Sequence, residues 1–134
     1  MEFDHIGLVV HSLEEARTTF NNDFPGASMS QVFFDYEIDV KIQFIEYKNS
    51  NRIELIEPLS DESPIRSVLN KKNSSNIHHL AYLCKNIEGV CHDLRGKGYG
   101  FLTKFYKAKA FNGSRVIFLL SPLSFIVELI ELDD

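Results

Sequence analysis

Two histidines and two glutamates recur along this chain at one constant spacing. His79 follows His5 by 74 residues, Glu128 follows Glu54 by the same 74, and each histidine precedes its glutamate by 49. The surrounding segments correspond as well, FDHIGLVV to IHHLAYLC and RIELIEP to IVELIEL. A repeat of this kind predicts a duplicated structural module.

The apolar pattern predicts the same order of elements in both halves. The first half contains strand 3–10, a helix opened by the S-x-x-E capping box at Ser12, and strands 29–34, 40–47 and 52–57. The second contains strand 77–84, a helix capped by Asn86, and strands 101–107, 115–120 and 125–131. We therefore expect an α+β fold in which two tandem βαβββ modules, about 1–58 and 76–134, form one domain with a linker at about 59–75. A curved mixed sheet is expected to surround a metal-binding cup.

Composition limits the partners of this domain. With 134 residues, 44 % hydrophobic and 25 % charged, the chain is of ordinary globular composition. A net charge of -5, with no basic cluster beyond Lys71-Lys72, argues against nucleic acid or an anionic membrane as the main partner. The chain opens on a predicted strand, and no apolar run approaches the roughly 20 residues of a membrane span. A cytoplasmic protein is expected.

Strand alternation determines where the repeated residues point. His5 and Glu54 lie on the strand faces opposite the aliphatic Ile6 and Leu55, and the second half follows the same rule. If the helices cover the aliphatic faces, the polar side chains enter the concave face. Taken singly, each would be read as a solvated or hydrogen-bonded residue, and only the repeat favours a site. Glu57 and Glu131, three residues further on, are expected on the opposite face near solvent.

Two carboxylates in a buried cup require compensating charge. A divalent cation bound by two neutral imidazoles and two carboxylates gives a neutral site, and this mixed nitrogen and oxygen donor set suits Co, Ni, Mn, Zn or Fe. The sequence therefore predicts one metal site formed by His5, Glu54, His79 and Glu128. Cys84 and Cys91 form no CxxC motif and are expected in the core.

The ordered segments DHIGLVV, IELIEPLSDESPI, IHHLAYLC, RVIFLLSP and IVELIE resemble the vicinal oxygen chelate superfamily, which includes glyoxalase I. The stretch from Glu54 to Ile65 and the doublet His78-His79 are most like the methylmalonyl-CoA epimerase branch. The resemblance implies metal ligands at His5, His79 and Glu128, with Glu54 as a fourth or near ligand. It covers nearly the whole chain.

A site of this kind supports proton abstraction next to a carbonyl group, on a small-molecule carbonyl or acyl-thioester substrate. We expect Glu128 to be the catalytic base. If Glu54 acts from the opposite face of the substrate, one carboxylate removes a proton and the other returns it, which is epimerisation. A single mobile carboxylate would suit the 1,2-shift of a glyoxalase I-like lyase.

Three segments depart from the epimerase pattern, one of them FNNDFPG at Phe20 to Gly26, where the family usually has a Leu-Gly-like turn. The run from Ser121 to Phe125 lacks the glycine that the family usually has before its last strand, which predicts a different acyl-thioester pocket. Ile42 or Gln43 stands where bacterial-type epimerases carry a second catalytic acid. A base on the second face would then be Glu54 or be absent.

Other classes of function remain open on the sequence. A metal-free small-molecule binding protein of the antibiotic-sequestering type uses the same fold but normally lacks the repeated His/Glu set. An extradiol dioxygenase would use two histidines and one glutamate on Fe(II), so the extra Glu54 counts against it. The candidates for a homodimer interface are aromatic residues expected at the surface: Phe33, Phe34, Tyr36, Phe105 and Tyr106.

Overall fold

The computed structural model describes residues 1–48, 51–70 and 75–133. Within them, the first module contains β1 (Glu2–Val9), α1 (Leu13–Asp23), β2 (Ser28–Met29), β3 (Phe33–Asp35), β4 (Val40–Glu46) and β5 (Arg52–Pro58), followed by α2 (Arg66–Asn70). The second contains β6 (Ile77–Cys84), α3 (Ile87–Gly96), β7 (Gly100–Phe101), β8 (Tyr106–Lys107), a 3-10 helix (Lys109–Phe111), β9 (Arg115–Leu120) and β10 (Ile126–Glu131). The predicted turn through Asn49 and Ser50, and the Lys71-Lys72 pair, lie outside the described residues.

The α+β class and the repeated βαβββ order are confirmed, except that the predicted strands 29–34 and 101–107 are each split in two. A hydroxyl group interrupts each one. The Ser30 Oγ accepts a hydrogen bond from the Phe44 amide at 2.9 Å, and the Thr103 Oγ1 accepts one from the Phe118 amide at 3.0 Å. In each case a side-chain oxygen accepts the hydrogen bond that a backbone carbonyl of the neighbouring strand would otherwise accept. Regular strand pairing therefore stops opposite Phe44 in the first module and opposite the equivalent Phe118 in the second.

The chain divides into two compact units. The first unit is His5–His78, and the second unit comprises Met1–Asp4 and His79–Asp134. In the first unit, β5 pairs parallel with β1 and antiparallel with β4, which also pairs with β2 and β3. In the second unit, β10 pairs parallel with β6 and antiparallel with β9, which also pairs with β7 and β8. The strands of each unit are therefore paired in both parallel and antiparallel directions, as in the predicted mixed sheet. That both modules form one domain stays a prediction.

The strands of each unit have a helix face and a polar face. In the first unit, Leu13 and Ala16 of α1 pack against Ile45 and Leu55. In the second unit, Ile87 and Cys91 of α3 pack against aliphatic residues of the sheet, namely Ile117, Leu119, Val127 and Leu129. Since Glu54 and Glu128 each precede a helix-facing leucine, alternation places both glutamates on the polar face, as predicted.

The start of α1 is fixed from β5. The Ser12 Oγ accepts a hydrogen bond from the Glu15 amide at 3.2 Å, as the capping box predicts. The Glu57 Oε1 accepts a second from the Leu13 amide at 2.7 Å, and its Oε2 lies 3.1 Å from the Lys41 Nζ. Glu57 thus lies on the helix face, as expected, but it binds the helix instead of ending in solvent.

Among the described residues, no helix is both long and apolar enough to cross a membrane.

Candidate functional site

The first half-site consists of His5 and Glu54. They lie on the neighbouring parallel strands β1 and β5, in which His5 is paired with Arg52 and Glu54 with Gly7. Both side chains are buried, and the His5 Nε2 lies 3.7 Å from the Glu54 Oε1. Phe44, opposite Glu54 on β4, meets the imidazole edge-on at a centroid distance of 5.6 Å.

The second half-site consists of His79 and Glu128, on β6 and β10. Both side chains are buried, and the His79 Nε2 lies 3.9 Å from the Glu128 Oε1. Phe118 is opposite Glu128 on β9 and meets the imidazole edge-on at 5.1 Å. Each predicted histidine is thus brought to the glutamate predicted for its own half.

The equivalence extends beyond the predicted residues. Phe44 and Phe118 are also 74 residues apart, and each forms the wall against which its histidine packs. An ion pair repeats with the same offset on the helix faces: Lys41 with Glu57 and Arg115 with Glu131. These residues were missed although the offset could have found them, because phenylalanines and surface charges are common in any strand.

The two atoms of each half-site are close to, but not at, the separation of two ligands on one cation. At 3.7 and 3.9 Å, the nitrogen and oxygen atoms are too far apart for a direct hydrogen bond. Two neighbouring ligands that each lie about 2.1 Å from one cation are about 3.0 Å apart in an octahedral shell and about 3.4 Å apart in a tetrahedral one, so both pairs are somewhat wider than a bound ion would hold them. The donor types, imidazole nitrogen and carboxylate oxygen, fit a first-row divalent ion.

The cysteines do not take part. Cys84 and Cys91 lie on the helix face of the second unit, in the core formed with α3. Burial raises the pKa of the Cys84 thiol to about 11, so it stays protonated near neutral pH. A protonated thiol is a poor ligand, which agrees with the expectation of two core residues.

The surroundings of the two half-sites differ. In the first, the Arg52 guanidinium lies over the Phe44 ring, 4.0 Å from its centroid. In the second, Tyr106 stacks on Phe118 with centroids 6.4 Å apart and an interplanar angle of 14°. The position equivalent to Arg52 is Ile126, so the second half-site has no arginine at that position.

Ile42 and Gln43, the two candidate positions for the second catalytic acid of bacterial-type epimerases, both lie on β4. Ile42 is paired with Ile56 of β5, on the face of Glu54, and offers no ionisable group there. Gln43 lies on the helix face, where its amide binds Arg17 at 2.8 Å and the Ser30 carbonyl at 2.7 Å. A buried acid that the sequence reasoning overlooked, Asp35, is paired with Val40 on the face of Ile42. The alternation of β3 could have located it.

The glycine-free run before β10 forms a tight turn. Ser124 adopts a φ of 69°, a left-handed conformation that glycine ordinarily supplies. The Ser121 Oγ accepts hydrogen bonds from the Leu123 amide at 3.1 Å and the Phe125 amide at 3.2 Å. A buried serine hydroxyl therefore holds the turn that leads into the strand of Glu128.

Comparison with known protein families shows which superfamily the chain belongs to. The family described as the Glyoxalase/Bleomycin resistance protein/Dioxygenase superfamily matches residues 4–118, which include three of the four predicted ligands. The chain belongs to this superfamily. Within it, the chain is 30 % identical over 130 residues to the ethylmalonyl-CoA/methylmalonyl-CoA epimerase of Cereibacter sphaeroides, covering 97 % of this chain and 95 % of the relative.

Other similar proteins extend the comparison. The uncharacterized protein YqjC of Bacillus subtilis is 33 % identical over 129 residues, with 96 % and 89 % of the two chains covered. Mouse mitochondrial methylmalonyl-CoA epimerase is 34 % identical over 116 residues, which are 87 % of this chain, and the match spans 64 % of the mouse protein. A variant Streptomyces coelicolor methylmalonyl-CoA epimerase in complex with 2-nitronate-propionyl-CoA has a TM-score of 0.83 at 22 % identity, covering 100 % of this chain and 99 % of that one. The last likeness shows a shared fold.

Proposed function

We propose that this superfamily member is a metal-dependent isomerase that moves a proton next to the carbonyl group of an acyl-CoA thioester, as a methylmalonyl-CoA epimerase does. The observation that carries the proposal is the pair of equivalent His–Glu half-sites, each buried and each with imidazole nitrogen and carboxylate oxygen atoms less than 4 Å apart. Relatives named as epimerases of malonyl-type CoA thioesters support the substrate class.

In this proposal, His5, Glu54, His79 and Glu128 bind one divalent ion. The fit rests on the donor set and on charge, because two buried carboxylates need a compensating cation. Both histidines act only as ligands, held in orientation by Phe44 and Phe118. When bound, the ion acts as a Lewis acid that makes a proton next to the substrate carbonyl easier to remove.

Proton movement is assigned to the carboxylates. Glu128 removes the proton next to the carbonyl, and Glu54 returns one from the other face of the planar carbon, which inverts its configuration. Ile42 offers no ionisable group on the face of Glu54, so in this proposal the second proton transfer falls to Glu54.

Metal binding is tested by titration calorimetry of the protein with Co²⁺, Ni²⁺, Mn²⁺, Zn²⁺ and Fe²⁺. The expected stoichiometry is one ion per chain, with affinity lost in both His5→Ala and His79→Ala. If each variant instead kept one of two ions, the half-sites would bind independently and the shared site would be rejected.

Chemistry is tested by NMR in D₂O, following exchange of the proton next to the carbonyl in methylmalonyl-CoA. We expect Glu128→Gln to lower the exchange rate by roughly 100-fold or more, as for loss of a general base. Glu131→Gln is the matched control on the same strand and should exchange normally, since Glu131 binds Arg115 on the helix face.

The same NMR experiment separates the alternatives. Exchange with the methylglyoxal–glutathione hemithioacetal but not with methylmalonyl-CoA would assign a glyoxalase I-like lyase. Binding of no metal in the calorimetry would favour the small-molecule binding class. Exchange that persists in Glu128→Gln would remove Glu128 from its role.

A further inference from the structure

The polar face beside Glu128 carries apolar side chains that are open to solvent. Leu120 of β9 is paired with Ile126 of β10, in the row next to the pair formed by Phe118 and Glu128. Because each member is two residues from its counterpart, alternation places Leu120 and Ile126 on the face of Glu128, about 7 Å from it along the strands. The Leu120 side chain is 38 % exposed, so a molecule in solvent can reach it.

Leu102 extends this apolar surface on the side of Phe118 away from β10. Its amide donates a hydrogen bond to the Phe118 carbonyl at 2.9 Å, which continues the pairing of β7 with β9 by one residue. Alternation then places the Leu102 side chain on the face of Phe118, where it is 49 % exposed. Gly100, opposite Leu120 on β7, has no side chain, and the space where a Cβ would lie is open. The surface formed by Leu102, Leu120 and Ile126 is named the apolar shelf.

The fold does not require apolar residues in the row of Leu120 and Ile126. The equivalent positions in the first unit, 74 residues earlier, are Glu46 and Arg52, which are likewise paired with each other across β4 and β5. Charged side chains thus occupy the row beside the first half-site, and aliphatic ones occupy it beside the second. Aliphatic surface left in water is stabilised when an apolar group covers it, so the row of the second half-site favours an apolar ligand.

The other side chains on this face favour an alkyl chain in particular. On β9 and β10, Glu128 is the one ionisable residue that alternation places there, and the others are Val116, Phe118, Leu120, Ile126 and Ile130. The charged Arg115 and Glu131 bind each other on the helix face. An alkyl chain needs no hydrogen bonds on the shelf, whereas an amide or a charged group would lose those that it makes with water.

We infer that the apolar shelf binds an alkyl group on the reacting carbon of the substrate, and that the protein therefore favours malonyl-type thioesters with longer alkyl groups. This inference rests on the proposed function, in which Glu128 removes the proton from that carbon, and it narrows the substrate class. The shelf begins one row from Glu128, so a short alkyl group on the same carbon can contact Ile126 and Leu120. The open space beside Gly100 leaves room for a longer chain.

The test is binding of methylmalonyl-CoA, ethylmalonyl-CoA and butylmalonyl-CoA to the metal-loaded protein, measured by calorimetry. The three ligands share the CoA portion and the free carboxylate and differ only in the number of CH₂ groups. Full burial of one CH₂ group corresponds to about 4-fold in affinity, so a surface that is open on one side should give roughly 2-fold for each. We therefore expect butylmalonyl-CoA to bind roughly 8-fold more tightly than methylmalonyl-CoA.

Leu120→Asn and Leu102→Asn each replace an aliphatic side chain of the shelf by an amide. Each variant should weaken the binding of butylmalonyl-CoA and leave that of methylmalonyl-CoA nearly unchanged, which reduces the dependence on chain length. Phe101→Ala is the matched control, because Phe101 of β7 is also 38 % exposed but is paired with Leu119 on the helix face. It should keep the full dependence.

The inference is overturned if the natural protein binds the three ligands equally, or if the dependence on chain length persists in both leucine variants. Equal weakening of all three ligands would assign the shelf to the CoA portion and would overturn it as well. Leucine variants that change the oligomeric state in sedimentation but keep the dependence would assign the shelf to an interface between copies of the chain, with the same consequence.

Measuring deuterium exchange on the same samples separates this inference from the proposed function. Exchange of the methylmalonyl-CoA proton, without a dependence of binding on chain length, overturns the role of the shelf alone. A dependence that the leucine variants reduce, without exchange in the natural protein, keeps alkyl recognition and overturns the isomerase.

Discussion

The carboxylate of Glu57 anchors α1 to the sheet that carries the first half-site, and replacing it tests how strongly. Its Oε1 accepts the hydrogen bond of the Leu13 amide at 2.7 Å, and its Oε2 pairs with Lys41 at 3.1 Å. Leu13 is the first residue of the helix, where a backbone amide has no partner within the helix itself. Glu57→Ala leaves that amide without its acceptor and removes a negative charge from the positive end of the helix dipole.

The expected loss follows from these two contributions. A hydrogen bond to a charged group contributes about 1.5–3 kcal/mol, and a charge near a helix terminus about 0.3–1 kcal/mol. Glu57→Ala should therefore lower the free energy of unfolding by about 2–4 kcal/mol. Glu57→Gln keeps a carbonyl acceptor but no charge, so it should lose about 1 kcal/mol.

Urea unfolding followed by circular dichroism measures both values. The matched control is Glu131→Ala, because Glu131 occupies the equivalent position in the second unit but binds the Arg115 side chain instead of a helix amide. Its loss should be smaller than that of Glu57→Ala. Equal losses in Glu57→Gln and Glu57→Ala would refute the reasoning, since they would show that the acceptor oxygen contributes nothing.

Two further predictions concern the buried thiol of Cys84 and the hydroxyl groups that interrupt the strands. Burial raises the pKa of Cys84 from 9.0 to about 11, so its contribution to the free energy of unfolding is complete below pH 9 and falls by roughly 2–3 kcal/mol as the pH rises toward 11. Burial also raises the pKa of Cys91, so Cys84→Ala should reduce this pH dependence in urea titrations without removing it, and an unchanged profile would contradict the prediction. Ser30→Ala removes the acceptor of the Phe44 amide in a part-buried hydrogen bond and should destabilise the first unit by about 1–3 kcal/mol in thermal unfolding. The hydrogen bond of Thr103 is exposed, so Thr103→Val should destabilise the second unit by only about 0.5–1.5 kcal/mol. A loss in only one of the two variants would show that the interruptions are not equivalent.

The sequence predicted the repeated elements well because two signals agreed. Helix α1 begins after Ser12 and α3 after Asn86, as their caps indicated, and the strands of the four predicted ligands lie where alternation placed them. Local chemistry of this kind is readable from residue type and spacing alone.

What the sequence did not reveal depends on partners distant in the chain. The interruption of the strand at Ser30 requires that its hydroxyl meet the Phe44 amide, 14 residues away. The binding of Glu57 to the Leu13 amide spans 44 residues. Neither can be inferred from the local pattern, because the same residue types occur in uninterrupted strands and on solvated faces.

The phenylalanine rings that contact the two histidines are each contacted by a second side chain, and that side chain differs between the half-sites. Residues of a half-site and residues around it can therefore change independently. Phe44 and Phe118 occupy identical positions, but one is covered by the guanidinium of Arg52 and the other by the ring of Tyr106. After an ancestral duplication, mutations at the outer positions could accumulate in each copy without disturbing the residues beneath the rings. The two copies could thus diverge at Arg52 and Tyr106 while both His–Glu pairs stayed constant. Substitutions at these two positions would likewise allow each half-site to be altered separately.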